Sequence, residues 1–308
     1  MTGADHTEAM ASEGYISFQG FKTWYRIVGS ENAPGKLPVL ALHGGPGMTH
    51  DYMEPLEDLA SSGRRVIFYD QLGAGNSDQP HDPSMWTIQL YVDELTTVRR
   101  DLGLDRVHLF GSSWGGMLAM EYLLTKPAGV ASLVMAGSPA SMPQWSSEAA
   151  RLRGELPADV ERVILEQESA GTTDSPEYEQ AMMVYYRRHL CRLETWPECV
   201  NRTFEKMAAN PEVYHTMGGS SEFNVTGTIK DWDIVERLPE LDLPTLVTAG
   251  EFDEATRPIA ETVHRGIRGS RLAILEGCSH LSFVEDPKRF LNLMTAFLDE
   301  VEAQTQSS

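Results

Sequence analysis

The chain is short of positive charge. Its 308 residues carry 25 Lys and Arg against 45 Asp and Glu, a formal charge of −20. A surface of that sign repels nucleic acid and anionic membranes, and it suits a cationic group on a substrate. Cysteine is scarce as well: the three thiols are an odd number and build no disulfide framework. No apolar run approaches the length of a membrane span. The opening stretch Met1-Thr-Gly-Ala-Asp-His-Thr-Glu8 has neither the basic region nor the hydrophobic stretch of a signal peptide. Without a secretory signal, Asn201-Arg-Thr203 and Asn224-Val-Thr226 read as chance matches to a glycosylation acceptor. The expected compartment is the cytoplasm. Cys191 and Cys199, with His189 near them, lack a fourth ligand at short spacing, so neither a metal nor a cofactor is expected.

What is present is a soluble globular composition, 41% hydrophobic and 23% charged. The first residues, to about 13, are polar and read as frayed. Tyr15–Phe18 and Phe21–Val28 read as a hairpin turning at Gln19-Gly20. Strands at Leu37–Leu42, Arg65–Tyr69, Val107–Phe110 and Ala131–Met135 alternate with helices at Asp51–Ala60, at Thr87 to about Leu102, and from Gly116 to Leu124. That alternation predicts a parallel sheet with right-handed crossovers. From about Pro139 to Ile234 no convincing strand is present; helical segments run over 148–154, 158–169, 176–192 and 203–209. The α/β rhythm then returns with the strands Pro244–Ala249 and Arg271–Leu275 and the helices Pro258–Ile267 and Pro287 to about Val301. The expected division is a core of residues 1–137 and 237–308 with a helical cap inserted at 138–236.

The chemistry starts at Gly111-Ser112-Ser113-Trp114-Gly115-Gly116, between a strand and a helix. This is the G-x-S-x-G setting of a nucleophile elbow, in which flanking glycines let a strained serine approach a helix N-terminus. Ser113 fits the glycine spacing; Ser112 has Phe110 and Trp114 at those positions and fits less well. A serine hydroxyl needs a base, and the base needs an orienting carboxylate, in the chain order Ser, acid, His. Asp253 follows one predicted strand and His280 follows the next, so both fit by order and place. Glu251 is the competing carboxylate and ranks second. An oxyanion hole needs the N–H of Trp114 and a second donor from His43-Gly44-Gly45-Pro46-Gly47. Gly45 is the expected donor, with Gly44 as the alternative and as a substrate-contacting residue. His43 is expected to support the loop. Trp145, Tyr185, Tyr186, Trp196, Phe223 and Trp232 are expected mostly in the core, with one or two aromatics lining a pocket for the first side chain, Trp114 the best placed. Cys278, two residues before His280, is expected near the site without a nucleophilic role, and bulky thiol reagents are expected to slow turnover by crowding His280.

These motifs together carry a resemblance. His43–Gly47, Asp70-Gln-Leu-Gly-Ala-Gly-Asn-Ser77, Gly111–Gly116 and Gly277-Cys-Ser-His280 resemble the proline iminopeptidases, from Tyr15 to about Leu298. The stretch Glu222–Asp233 is most similar to the branch that includes the tricorn-interacting aminopeptidase. The resemblance implies an α/β-hydrolase fold, a mostly parallel central sheet with helices on both faces and an inserted helical cap. It implies a cofactor-free serine exopeptidase that releases proline or another apolar N-terminal residue from small peptides. The implied partner is a small peptide or amino-acid amide with a free amine, not nucleic acid and not membrane. Acidic residues hold the substrate's α-ammonium in that family, and Glu222 and Glu254 match those positions. An amidase or esterase acting on amino-acid amides or arylamides is the alternative within the class. A non-catalytic ligand receptor on the same fold is the alternative outside it; the intact Ser113, Asp253 and His280 argue against it. Dehalogenases and epoxide hydrolases carry Asp at the elbow, where this chain has Ser113.

Overall fold

A computed structural model describes residues 11–306. The fraying expected of the first ten residues and the N-terminal stretch read for a signal peptide lie outside the described residues. The hairpin forms as β1 (Ala11–Phe18) and β2 (Phe21–Val28), antiparallel around Gln19-Gly20, where Gly20 takes φ +89°. β1 begins earlier than expected. Ala11, Ser12 and Glu13 pair with Val28, Ile27 and Arg26, and the Arg26–Glu13 ion pair at 2.7 Å ties that end down.

The remaining strands of the main sheet are β3 (Val39–Leu42), β4 (Val66–Tyr69), β5 (Val107–Ser112) and β6 (Val130–Ala136). A small hairpin follows them, β7 (Gly219–Ser221) and β8 (Asn224–Val225), before β9 (Thr245–Gly250) and β10 (Arg271–Leu275) complete the sheet. The eight-stranded sheet runs β1-β2-β4-β3-β5-β6-β9-β10, antiparallel through β2–β4 and parallel from β4 onward. β3, β4 and β5 are buried at every residue, as parallel strands covered on both faces must be. The covering helices include α1 (Ile88–Asp101), which Thr87 caps by accepting the Leu90 N–H, and α2 (Trp114–Leu124).

Five α-helices lie between β6 and β9, α3 (Met142–Arg153), α4 (Ala158–Ala170), α5 (Pro176–His189), α6 (Glu198–Ala209) and α7 (Glu212–Met217), followed by a 3-10 helix at Val235–Glu240. Several details differ from the sequence reading, and α6 starts five residues before the expected 203. α3 starts six residues before the expected 148, because Ser141 caps it through the Gln144 N–H and Pro143 suits a first turn. α7 and the β7–β8 hairpin were not expected, the latter in a stretch read as free of strands. Beyond β9 come α8 (Arg257–Gly266), short α9 (Ser282–Glu285) and α10 (Pro287–Gln306). The segment Asp51–Ser62, expected as a helix, winds as a 3-10 helix with Pro55 inside it. Proline lacks the N–H that a continuous α-helical ladder would use.

A buried ion-pair network holds α10 to the sheet. Arg64 donates to Glu302 at 2.6 Å and also pairs with Asp299. Glu302 additionally accepts from the Leu37 N–H at 2.8 Å and lies 3.2 Å from His108 Nε2. Burial pushes the Glu302 carboxyl up, but His108, the Leu37 N–H and Arg64 outweigh it and hold it below the usual range. The stability from this group is present above the ordinary Glu pKa and is lost as pH falls below it. Removing one partner of a buried pair typically costs about 3–5 kcal/mol. Arg64→Met should lower the urea midpoint accordingly at neutral pH and leave kcat/KM unchanged; an unchanged midpoint would mean the network contributes nothing.

Candidate active site

Ser113 is where the backbone is strained. It follows β5 directly and stands at φ +54°, ψ −120°, a conformation rare for a residue with a side chain. The neighbouring glycines make room for it. A Cβ on Gly111 would come within 2.6 Å of Gly115 and Gly116 backbone atoms, one on Gly115 within 2.0 Å of the Leu42 carbonyl, and one on Gly116 within 2.1 Å of Ser138 Oγ. Ser113 thus caps α2 geometrically, with the helix N-terminus behind it. Its side chain lines a small cavity together with His280, Gly44, Gly45 and Glu222.

His280 and Asp253 reach the same place from the ends of β10 and β9. His280 Nδ1 donates to Asp253 Oδ1 at 2.7 Å. Asp253 is fixed in turn by the Gly250 N–H at 3.1 Å and the Ala255 N–H at 2.7 Å. Glu251, the competing carboxylate, is exposed and accepts the Gly277 N–H at 2.8 Å instead. The sequence reading missed Gly137. It sits at φ +60°, and a Cβ there would fall 2.6 Å from His280 Nδ1 and 3.2 Å from Asp253 Oδ2. Only the signal of a glycine just after a parallel strand was available for it.

The loop after β3 turns beside Ser113. His43 is fully buried; its Nδ1 bonds the Gly44 carbonyl at 2.9 Å and its Nε2 accepts the Gln71 N–H at 2.9 Å. Burial lowers its pKa to about 4, so it is a neutral support for the loop. The Gly44 N–H is committed to the Tyr52 hydroxyl at 2.8 Å. Among the described residues no hydrogen bond engages the N–H of Gly45 or of Trp114. The Trp114 side chain does not line the pocket. Its indole is buried, donates to Gln71 Oε1 at 2.9 Å and packs edge-on against Tyr91. Its role in packing is a correction to the pocket-lining expectation. Of the aromatics named from the sequence between α3 and β9, none lines the cavity either; Phe204 of α6 and Tyr52 of the 3-10 helix do.

Two further carboxylates face the imidazole. Glu222, in the turn of the β7–β8 hairpin, lines the cavity and accepts from the Tyr214 hydroxyl at 2.8 Å. Trp145 donates to the Glu222 carbonyl at 2.7 Å, fixing the backbone there, and its ring lies edge-on to His280. Glu254 is fully buried, and neither of its oxygens has a hydrogen-bond partner. Its Oε1 is 3.8 Å from His280 Nε2. Burial, then Glu222 and Asp253, push the Glu254 carboxyl well above the usual carboxylate range against the pull of His280. Burial also raises Glu222, opposed by His280 and the Tyr214 hydroxyl.

The cysteines are free and buried. Burial pushes the Cys278 thiol up to about 11, and it does not line the cavity. A buried, protonated thiol is a poor target, which removes the basis for the expected sensitivity to bulky thiol reagents. Among the described residues only His50, Asp51 and Glu54 cluster in a way that could hold a metal. Each of the three already has a partner: His50 Nδ1 pairs with Asp70, Asp51 with Thr49, Arg202 and Lys206, and Glu54 with Arg202.

A serine on an elbow beside an Asp-supported histidine, at the C-terminal edge of a parallel sheet, defines a serine hydrolase of the α/β-hydrolase class. Residues 38–287 match the family of the alpha/beta hydrolase fold. The chain is 40% identical over 289 residues to a proline iminopeptidase of Thermoplasma volcanium, covering 94% of this chain and 97% of that one. It is also 40% identical over 290 residues to one of Saccharolobus solfataricus, covering 94% and 93%. The crystal structure of the Mycobacterium smegmatis proline iminopeptidase superposes with a TM-score of 0.89 at 40% identity, over 96% of this chain and 100% of that one. The crystal structure of VinJ superposes with a TM-score of 0.91 at 41% identity, over 94% and 99%. The chain belongs to the proline iminopeptidase family.

Gly137 gives a test of this geometry. Gly137→Ala forces a methyl group against the His280–Asp253 hydrogen bond at a positive φ. Loss of the oriented tautomer should lower kcat by at least about 100-fold while the circular dichroism spectrum stays that of the wild type. Wild-type turnover in Gly137→Ala would show that the imidazole tolerates displacement.

Proposed function

We propose that this chain is a serine aminopeptidase that releases an N-terminal proline, or another apolar residue, from small peptides through an acyl-enzyme on Ser113. One observation carries the reading: Glu222 lines the cavity with Ser113 and His280, and the buried Glu254, whose oxygens have no hydrogen-bond partner, lies behind them, 3.8 Å from His280 Nε2. Buried carboxylates call for a cation, and a peptide's free α-ammonium supplies one. A general esterase has no use for such a pair.

In this reading His280 Nε2 takes the proton of Ser113 as its oxygen attacks the first peptide carbonyl. Asp253 holds the Nδ1–H tautomer and stabilises the imidazolium. The N–H groups of Gly45 and Trp114 receive the oxyanion, with Gly44 beside them and locked by Tyr52. The imidazolium then gives its proton to the leaving amine, and water repeats the cycle on the ester. The first side chain lies against Met48, Tyr52, Leu190, Phe204 and Leu281, an apolar lining that suits proline and disfavours a charged residue. Residues 138–236 act as the cap, since Leu190, Phe204 and Glu222 come from it. No helix among the described residues is long and apolar enough to cross a membrane. The free thiols accord with the cytoplasm, the compartment expected from the sequence.

Ser113→Ala should fold and lose nearly all turnover, keeping only what binding and the oxyanion site provide; if Ser112→Ala were inactive instead, the nucleophile is misassigned. Glu222→Gln and Glu254→Gln should each lose about 2–5 kcal/mol of charge pairing, roughly 30-fold to a few thousand-fold in kcat/KM on Pro-arylamides. Wild-type values for both variants would remove the ammonium site.

A further inference from the structure

Glu254 faces the wrong nitrogen for a purely substrate-binding group. Nδ1 of His280 is committed to Asp253, so Nε2 must accept the Ser113 proton. Glu254 Oε1 lies 3.8 Å from that same Nε2. An imidazolium held between Asp253 and Glu254 is favoured from both sides, and an imidazolium cannot act as a base.

The surroundings add negative charge and no competing cation among the groups facing the ring. The loop after β9 contributes Asp253 and Glu254, and the β7–β8 hairpin contributes Glu222. From α3 comes the Trp145 ring, 6.0 Å away and edge-on. From the end of α5 the His189 carbonyl accepts the His280 backbone N–H at 3.0 Å, while the His189 ring bonds the Phe252 carbonyl at 2.9 Å. Burial alone would lower the His280 pKa; Asp253, then Glu254 and Glu222, outweigh it and push it up to about 9.

We infer that the substrate's own ammonium group switches on the base: by pairing with Glu254 and Glu222 it displaces the proton held at His280 Nε2. This rests on the aminopeptidase reading above and deepens it. The displaced proton leaves to solvent, and the freed lone pair on Nε2 then takes the Ser113 proton as the Ser113 oxygen bonds to the carbonyl carbon. A free amine therefore governs turnover as well as binding. A substrate without one meets a protonated histidine, and at neutral pH, below the raised His280 pKa, few sites hold the free base.

The test uses p-nitrophenyl acetate, an uncharged ester, with pyrrolidinium as a detached ammonium group. With wild-type enzyme, ester kcat/KM should rise toward alkaline pH with a midpoint near about 9. Saturating pyrrolidinium should move that limb to lower pH and raise the neutral-pH rate at least about tenfold, the change one pKa unit gives. Glu254→Gln should show the lowered limb unaided, gain nothing from pyrrolidinium and be impaired on Pro-arylamides. If pyrrolidinium competes with Pro-arylamides yet leaves the ester limb in place, the switch is wrong and the aminopeptidase reading stands. If pyrrolidinium competes with nothing and Glu254→Gln cleaves Pro-arylamides at the wild-type rate, both fall. The wild-type arm decides the matter even if the variant does not fold.

Discussion

Asp253, Glu254 and Glu222 lie around a single buried imidazole, and much of the site follows from how that charge is balanced. Asp253 is compensated locally by two backbone N–H groups and His280 Nδ1. Glu222 is held by a tyrosine hydroxyl. Glu254 has only the imidazole at ion-pair distance. With Glu254 ionised and His280 neutral the site lacks a compensating positive charge, and burial beside Glu222 and Asp253 accordingly raises the Glu254 carboxyl. In the proposed reading either a proton or a substrate ammonium fills that deficit, which would link what the enzyme recognises to how its base is set.

The fold delivers these groups by placing each at the end of a parallel strand. β3 leads to the glycine loop, β5 to the elbow, β9 to Asp253 and Glu254, and β10 to His280. Close packing of those strand ends leaves no room for side chains at Gly115, Gly137 or Gly250, where a Cβ would strike Leu42, His280 and Ser279 respectively. α5, α6 and the β7–β8 hairpin close over this edge and contribute Leu190, Phe204 and Glu222 to the cavity. The acidic surface seen in the composition bears on a different scale: it adds a weak, salt-screened attraction for cationic substrates.

Much of this was legible in the sequence because strong local signals coincide with strand ends. Thr87 before an apolar-periodic run marks the start of α1, and the glycines at 111, 115 and 116 mark the elbow. What was not legible depends on long-range packing. Trp114 looks like a pocket wall because it follows the nucleophile, but Gln71, far away in sequence, draws its indole into the core. Tyr52 lines the cavity only because Pro55 and the 3-10 winding set that segment against Gly44 and α6. Gly137 is constrained by two residues more than a hundred positions later. The two-residue strand β8 is too short to give any periodic signal.

The central claim is that a free N-terminal amine is required, and it is tested most directly on the unmodified enzyme. The measurement is kcat/KM for a Pro-initiated dipeptide against the same dipeptide acetylated at its N-terminus. The account predicts a large loss for the acetylated form, which carries no cation to pair with Glu222 and Glu254 and so leaves the proton on His280. Equal values for the two would contradict it and leave a general amidase or esterase in its place.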